Sequence, residues 1–264
     1  MSEPRVRVEV ADHVATVTLN RPDKHNALDV PMLDGILAAA EQLAGESGVR
    51  AVVLHGAGPS FCSGLDVAGV MASSPDGTAI TQRLHEPVPN YFQRAGYEWI
   101  RLPMPVIAAI HGNCLGGGLQ IALGADIRIA TPDARLSVME AKWGLVPDMS
   151  ITRTLPRLVG IDVAKELTFT ARVLSGEEGA RLGVVTRCSE DPLAAAQSLA
   201  AEIAARSPDA VRAAKRLFNE AWTGSPEETL SLEAALQEKL IGSPNQIAAV
   251  TAGFTKEPAE FADP

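Results

Sequence analysis

The feature that most constrains this chain is a run of three glycines, Gly116-Gly117-Gly118, between two structured segments. The apolar residues Val106–Ile110 before the run predict a buried strand, and residues 119–123 after it predict the start of a helix. Such a turn collects unpaired backbone N–H groups at the positive end of the helix dipole. It therefore favours an anion or a developing oxyanion.

This glycine-rich turn does not match the common nucleotide or nucleophile motifs. The sequence has no GxGxxG or GxxxxGK[ST] motif here, and no GxSxG surrounds a serine nearby. Dinucleotide binding, phosphoryl transfer and serine hydrolysis therefore lack their usual sequence support. What remains is a site that offers hydrogen-bond donors to a negative oxygen without an evident nucleophile, which suggests enolate or tetrahedral-oxyanion chemistry.

Strand, loop and helix patterns recur through the first part of the chain. Residues 5–10 and 14–20 alternate apolar and polar side chains and predict a hairpin. Residues 49–54 and Ile127–Ala130 are further candidates for buried strands, and residues 31–43 carry helical spacing. Repeated units of this kind predict an α/β layered core.

Helical patterns dominate from residue 158 onward, and several follow a Ser or Asp that can cap the helix. The predicted helices cover residues 158–168, Gly176–Leu182, 192–205, 208–222 and Pro226–Leu240, with a short strand at 184–186. We expect residues 1–190 to form the core that carries the site and residues 191–264 to form a helical region for packing or oligomerisation. Between the strand candidates 49–54 and Val106–Ile110, residues 71–89 are rich in Ser, Pro, Gly and Thr and predict a surface loop near a site.

The composition excludes several classes of function. A formal charge of −9 argues against a surface that grips nucleic acid. No apolar run approaches the roughly 18 residues of a membrane span, so we expect a cytoplasmic protein that does not bind membranes. The three cysteines form no CxxC pair and the five histidines no chelating pattern, so no metal site is expected.

A second turn could also present a backbone donor. Phe61-Cys62-Ser63-Gly64-Leu65-Asp66 follows a buried strand, and Gly64 permits a backbone geometry that would point the Leu65 N–H into a cleft. An ordinary strand-to-helix turn is the alternative interpretation.

Two carboxylates are candidates for moving protons. Glu140 and Asp148 flank residues 141–147, which are apolar apart from Lys142. Desolvation among such neighbours could hold a carboxylate near the pKa that general acid–base catalysis needs. The alternative is a surface Glu140 paired with Lys142.

Five motifs, taken in order, resemble the crotonase (enoyl-CoA hydratase/isomerase) superfamily over residues 14 to 256. They are Arg21-Pro-x-Lys24-x-Asn26-Ala27-Leu28, Phe61-Cys-Ser-Gly64-Leu65-Asp66, His111-Gly-x-Cys-x-Gly116-Gly-Gly-x-Gln120, Ala125-Asp126-Ile127-Arg128-Ile129-Ala130, and Glu140 before Gly144-Leu145-Val146-Pro147-Asp148. The resemblance implies an α/β spiral of ββα units followed by a C-terminal helical trimerisation region. It also implies a homotrimer or a dimer of trimers.

The resemblance further implies an acyl-CoA thioester as substrate, with coenzyme A as part of that substrate and no separate cofactor. The thioester oxygen of this substrate would accept hydrogen bonds from the N–H groups of Leu65 and Gly117. The remaining positions that match the family's substrate-binding residues are Lys24, His25, Ala27, Ser63, Asp66, Val67, Gly116 and Gln120, with Phe254 and Lys256 reaching the adenine and phosphate end from a neighbouring subunit.

The family comparison leaves the reaction open. Hydratases of the family use two glutamates; Glu140 matches the second, whereas Gln120 stands at the first and cannot deprotonate water. Asp148 matches an aspartate of the family's dienoyl-CoA isomerases. Enoyl-CoA hydratase is the leading hypothesis, with Glu140 and Asp148 as proton carriers, and a double-bond isomerase is the alternative.

A third hypothesis is a binding protein instead of an enzyme, namely a catalytically weak acyl-CoA-binding protein. The acyl-chain preference would depend on residues 71–99. His85, Tyr91, Phe92 and Trp99 are candidates there, although packing is the alternative role for each.

Overall fold

A computed structural model of the chain describes residues 3–67, 69 and 78–264. The predicted N-terminal hairpin is present, with β1 (Val6–Ala11) antiparallel to β2 (Val14–Leu19). Asp12 and His13 form its turn, and both have positive φ angles.

The remaining strands extend this hairpin into a mixed sheet. They are β3 (Ala51–Gly56), β4 (Val106–Ile110), β5 (Asn113–Leu115), β6 (Ile127–Ala130), β7 (Arg135–Ser137) and β8 (Arg187–Cys188). The main sheet has the order β1-β2-β3-β4-β6-β8, and every pairing after the hairpin is parallel. Strands β5 and β7 form a separate parallel pair. The carboxyl ends of β3 and β4 therefore lie at one edge of the sheet.

Helices cover the sheet and continue beyond it. They are α1 (Val30–Ala44), α2 (Thr78–Leu84), α3 (Tyr91–Arg101), α4 (Gly117–Leu123), α5 (Ile161–Thr170), α6 (Gly176–Leu182), α7 (Pro192–Ala204), α8 (Pro208–Ala221), α9 (Pro226–Leu240) and α10 (Pro244–Thr255). Helices α6 to α10 each follow a Ser or Asp whose side chain accepts a backbone hydrogen bond, and α7 to α10 begin at a proline. The caps and the preset φ of proline explain these sharp starts.

Apolar residues fill both faces of the sheet. One face packs against α1, α3 and α4, and Met32, Ile36 and Trp99 are fully buried there. The other face packs against α7 through Ala196 and Ala200. Burial on both faces explains why the parallel strands are almost wholly apolar. Together these layers form the α/β fold that the sequence predicts.

Some boundaries differ from prediction. The helix expected at 158–168 begins only at Ile161, because a 3-10 turn, Leu155–Arg157, and Gly160 precede it. The last strand is Arg187–Cys188 instead of 184–186. The predicted loop 71–89 contains the helix Thr78–Leu84, while residues 71–77 lie outside the described part. The segment between β4 and the three glycines contains the strand β5, which the sequence pattern did not predict.

The C-terminal tail returns to the start of β3. Arg50 contacts Asp263 at 2.9 Å and donates to the Phe261 carbonyl oxygen at 2.8 Å. These contacts attach the last residues of the chain to the core. Among the helices described, none is long and apolar enough to cross a membrane.

Candidate active site

The two predicted turns lie side by side. The Phe61 N–H donates to the His111 carbonyl at 2.8 Å, and the Cys62 N–H donates to the Asn113 carbonyl at 2.9 Å. In the opposite direction the Leu115 N–H donates to the Cys62 carbonyl at 3.0 Å. Because the turns follow β3 and β4, which are parallel neighbours, these bonds hold both at the same edge of the sheet.

Two glycines permit this close approach. Gly64 has φ +88°, and a Cβ atom there would lie 2.8 Å from the Leu115 carbonyl oxygen. Gly116 has φ 52° and ψ −122°, a combination that only glycine adopts readily. A Cβ atom on Gly116 would lie 3.3 Å from Oε1 of Glu140. The Glu140 carboxylate therefore lies against the turn that leads into Gly117.

The Leu65 and Gly117 N–H groups are available to a ligand. The Leu28 N–H donates to the Gly64 carbonyl at 2.8 Å and the Asp66 N–H to the Leu28 carbonyl at 3.0 Å, which fixes the backbone on both sides of Leu65. Gly117 is the first residue of α4, so its N–H has no partner within the helix. Within the described part of the chain neither N–H donates a hydrogen bond. Two such donors at one junction can stabilise an oxyanion.

Glu140 is buried beside these donors. It is 9% exposed, and its Oε1 accepts a hydrogen bond from Nε2 of Gln120 at 2.7 Å. Its Oε2 is buried and has no partner among the described residues. Burial raises the pKa of Glu140, the negative charge of Asp148 raises it further, and the Gln120 hydrogen bond opposes the rise. The alternative of a solvated Glu140 paired with Lys142 is wrong.

Gln120 has a fixed orientation. Its Oε1 accepts a hydrogen bond from the Met149 N–H at 2.8 Å, and the residue is 1% exposed. Because the backbone N–H can only donate, the amide oxygen must face Met149 and the amide NH₂ must face Glu140. Gln120 is therefore a donor to Glu140 and cannot accept a proton. No sequence pattern predicts the Met149 contact.

Asp148 is exposed as a residue, but its carboxyl group is partly desolvated. This desolvation raises the pKa of the Asp148 carboxyl group. Its charge acts on Glu140, so the two acids that the sequence singled out are electrostatically coupled.

Several residues that match the family's substrate-binding positions lie along the turn that contains Leu65. The Ser63 N–H donates to the His25 carbonyl at 2.9 Å, and the Ser63 hydroxyl donates to the Lys24 carbonyl at 3.3 Å. Lys24 and His25 are exposed, whereas Ala27 is buried. The structure therefore brings this loop and the Leu65 turn together.

Asp66 and Val67 directly follow Leu65, and their side chains differ in role. Asp66 lies 2.8 Å from Nη1 of Arg21 and accepts a hydrogen bond from the Gly69 N–H at 3.0 Å. These hydrogen bonds, that from the Gly69 N–H first, lower the pKa of Asp66. Asp66 therefore supports the turn, while Val67, 38% exposed, faces outward.

The remaining candidates lie elsewhere. Tyr91 is buried and donates to Asp34 at 2.8 Å, and Trp99 is fully buried, so both serve packing. Phe92 is half-buried, and His85 is exposed.

The two C-terminal candidates lie at the surface. Phe254, at the end of α10, is 85% exposed, and Lys256 caps that helix in a left-handed conformation. The single chain leaves the Phe254 ring uncovered.

Known proteins resemble this chain in sequence and in fold. The family model described as enoyl-CoA hydratase/isomerase matches residues 9–263, and the chain belongs to this family, part of the crotonase superfamily. The chain is 36% identical over 205 residues to the mitochondrial Delta(3,5)-Delta(2,4)-dienoyl-CoA isomerase of Mus musculus, covering 74% of this chain and 62% of that protein.

Other relatives carry hydratase names. The (E)-benzylidenesuccinyl-CoA hydratase of Thauera aromatica is 35% identical over 210 residues, 77% of each chain. The crystal structure of an enoyl-CoA hydratase from Bacillus anthracis superimposes with a TM-score of 0.90 at 29% identity, covering 98% of this chain and 100% of that one.

Proposed function

We propose that this protein moves a double bond within an acyl-CoA thioester and that Glu140 carries the proton. The observation behind the proposal is the hydrogen bond of 2.7 Å from Gln120 to Glu140. It makes Gln120 a donor and leaves one buried carboxylate beside the backbone donors. One carboxylate suffices for isomerisation, because it can remove a proton from one carbon and return it to another.

The reaction follows from this arrangement. The thioester oxygen of a 3-enoyl-CoA would accept hydrogen bonds from the Leu65 and Gly117 N–H groups, which stabilise negative charge on that oxygen. Oε2 of Glu140 would take a proton from the acyl α carbon, giving a dienolate. The double bond moves from the β,γ to the α,β position when the same carboxyl returns the proton to the γ carbon. The raised pKa of Glu140 suits both steps, because a more basic carboxylate is a better proton acceptor and the same group must then return the proton.

Asp148 supplies a second position for a proton. A 3,5-dienoyl-CoA requires protonation at a carbon farther from the thioester than one carboxylate conveniently reaches. Asp148 is close enough for its negative charge to act on Glu140. The similarity to a dienoyl-CoA isomerase supports this role.

Hydration is the second candidate. Relatives and solved structures with hydratase names favour it. Hydration needs a base for water as well as an acid for the α carbon, and Gln120 can only orient the water. Glu140 would then perform both steps with assistance from Asp148, which makes hydration the slower reaction in this site.

We also propose that the chain acts as a trimer or hexamer built on its C-terminal helices. Large apolar side chains on α9 and α10 are exposed, among them Leu230, Ile247 and Phe254. Exposed apolar surface of this extent is typical of an interface. Phe254 and Lys256 would then contact the CoA of a neighbouring copy.

A substrate panel tests the proposed reaction. Purified protein is given a 3-enoyl-CoA, a 3,5-dienoyl-CoA and crotonyl-CoA, and products are separated by chromatography. We expect isomerisation of at least one of the first two to exceed hydration of crotonyl-CoA. If hydration of crotonyl-CoA is faster than either isomerisation, the protein is a hydratase instead. Binding without turnover of any ester would favour an acyl-CoA-binding protein.

A further inference from the structure

A second polar site lies at the opposite edge of the sheet. Two adjoining cavities of about 470 and 680 Å³ lie between α3, α8 and the turns that precede α5. Their shared wall contains Ile100, Arg153, Arg157, Lys215 and Asn219.

These cavities are separate from the acyl-CoA site. Pro105 and Asp126, which precede β4 and β6, line the smaller cavity. The oxyanion donors follow the other end of β4. A strand of five residues spans about 17 Å, so the two sites lie at opposite ends of the sheet.

The shared wall carries positive charge without a matching negative charge. Arg153 and Arg157 form no ion pair within the described part of the chain, and Nη2 of Arg157 is buried without a hydrogen-bond partner. Burial and the neighbouring Arg153 both lower the pKa of Arg157. Arg153 is exposed, whereas Arg157 is half-buried, with its Cζ 5.8 Å from the centre of the Trp222 ring. Two neighbouring guanidinium groups therefore share one wall of the cavities.

Arg212 adds a third guanidinium to the larger cavity. Its Nη2 donates to the carbonyls of Ser47 and Val49 at 3.1 and 3.2 Å, but its Nε is buried without a partner. Asp209 and Asp263 act on it only at longer range, and burial lowers its pKa despite them.

Most other charges in these walls have an acidic partner. Lys215 lies 2.8 Å from Asp126, Arg216 lies 2.7 Å from Glu220, and Arg101 lies 3.2 Å from Glu98. Arg206 lies 3.6 Å from Glu202, and Arg128 donates to the carbonyls of Val184 and Ala125 instead. Arg153, Arg157 and Arg212 are left with guanidinium nitrogens that have no hydrogen-bond partner in the described part of the chain, whose net charge is −9 overall.

We propose that this arginine cavity binds the phosphate group of a small molecule. Guanidinium groups match phosphate oxygens in geometry, and a phosphate of up to two negative charges would accept hydrogen bonds from the guanidinium groups that line the cavity and relieve the repulsion between Arg153 and Arg157. Free phosphate and a phosphate ester share this chemistry. Ile100, Leu102 and Ala213 in the larger cavity would contact the organic part of an ester.

The test compares the full-length protein with two double variants. Arg153→Gln with Arg157→Gln removes the unpaired charges. Arg135→Gln with Arg181→Gln removes the same charge from exposed positions away from the cavities. Binding of inorganic phosphate and of adenosine 5′-monophosphate is measured by titration calorimetry in phosphate-free buffer, and thermal unfolding is followed with and without each compound.

We expect saturable binding to the native protein and the control, weakened about tenfold or more in the cavity variant, since charge-assisted hydrogen bonds are lost. Phosphate should raise the unfolding temperature of the native protein and the control more than that of the cavity variant. Tighter binding of the ester than of phosphate identifies an ester as the ligand, and equal binding identifies free phosphate.

The proposal is overturned if neither compound binds saturably, or if binding is the same in the cavity variant. It is also overturned if the substitutions change only the oligomeric state, because an acidic segment of a second copy would then be the occupant. Turnover of acyl-CoA esters in phosphate-free buffer should be unchanged in the cavity variant, so this outcome is independent of the proposed reaction.

Discussion

Replacing Gln120 with methionine separates its effect on Glu140 from its effect on folding. Methionine keeps the unbranched shape but removes the hydrogen bond of 2.7 Å to Oε1 of Glu140. That bond stabilises the ionised carboxylate, so its loss raises the pKa of Glu140 further above its ordinary value. At any pH on the acid side of the activity profile, less Glu140 is then ionised and able to accept a proton.

The magnitude follows from the type of bond. A hydrogen bond to a charged group contributes about 1.5–3 kcal/mol, and each 1.4 kcal/mol is a factor of ten. The isomerisation rate on the acid limb should therefore fall about 10- to 100-fold, while the rate on the high-pH plateau stays within a few-fold. The Met149 N–H also loses its acceptor, which should cost about 1–3 kcal/mol of stability.

The assay is the pH dependence of kcat/KM for isomerisation, together with urea unfolding at one pH. Gln120→Glu is the matched control, because it keeps the shape and adds a second carboxylate. In that variant we expect the ratio of the hydration rate to the isomerisation rate to increase. An acid limb in the same place for Gln120→Met and the native protein would show that the hydrogen bond does not tune Glu140.

Three other substitutions test neighbouring parts of the site. Asp148→Asn should reduce turnover of a 3,5-dienoyl-CoA more than that of a 3-enoyl-CoA, measured as kcat; equal losses would remove Asp148 from the second protonation. Gly117→Pro should lower kcat by about 10²–10³ through loss of one oxyanion donor. Gly117→Ala is its control, since both place a carbon 2.7 Å from Met149 Sδ but only proline removes the N–H; equal losses would point to crowding. Phe254→Ser should raise KM for CoA esters more than it lowers kcat and leave unfolding unchanged, while an unchanged KM would separate α10 from the CoA site.

Much of the fold could be predicted because its signals are local. Val106–Ile110 and Ile127–Ala130 are apolar runs whose strands the structure reproduces without a shift. Pro226–Leu240 was equally clear, since Ser225 caps it and a proline starts it. The start of α5 was harder to predict, because the apolar spacing continues through Gly160 and the tight turn before it.

The site could be predicted only in part. Gly64 and Gly116 were visible because their backbone geometry requires glycine. The contact from Gln120 to Glu140 joins residues 20 positions apart, and its direction depends on the Met149 N–H, which no sequence pattern marks. The arginine cavity could not be predicted for the same reason, because only tertiary packing places Arg212 in one cavity with Arg153 and Arg157.

Glu140→Gln removes the group that carries the proton in the proposed reaction. The measurement is deuterium incorporation at the acyl α and γ carbons in D₂O, followed by NMR, with CoA-ester affinity measured in parallel. Because the amide keeps the shape and loses proton transfer, exchange should slow by about 10²–10⁴ while affinity stays within a few-fold. Exchange at the native rate in this variant would contradict the assignment of Glu140 as the proton carrier.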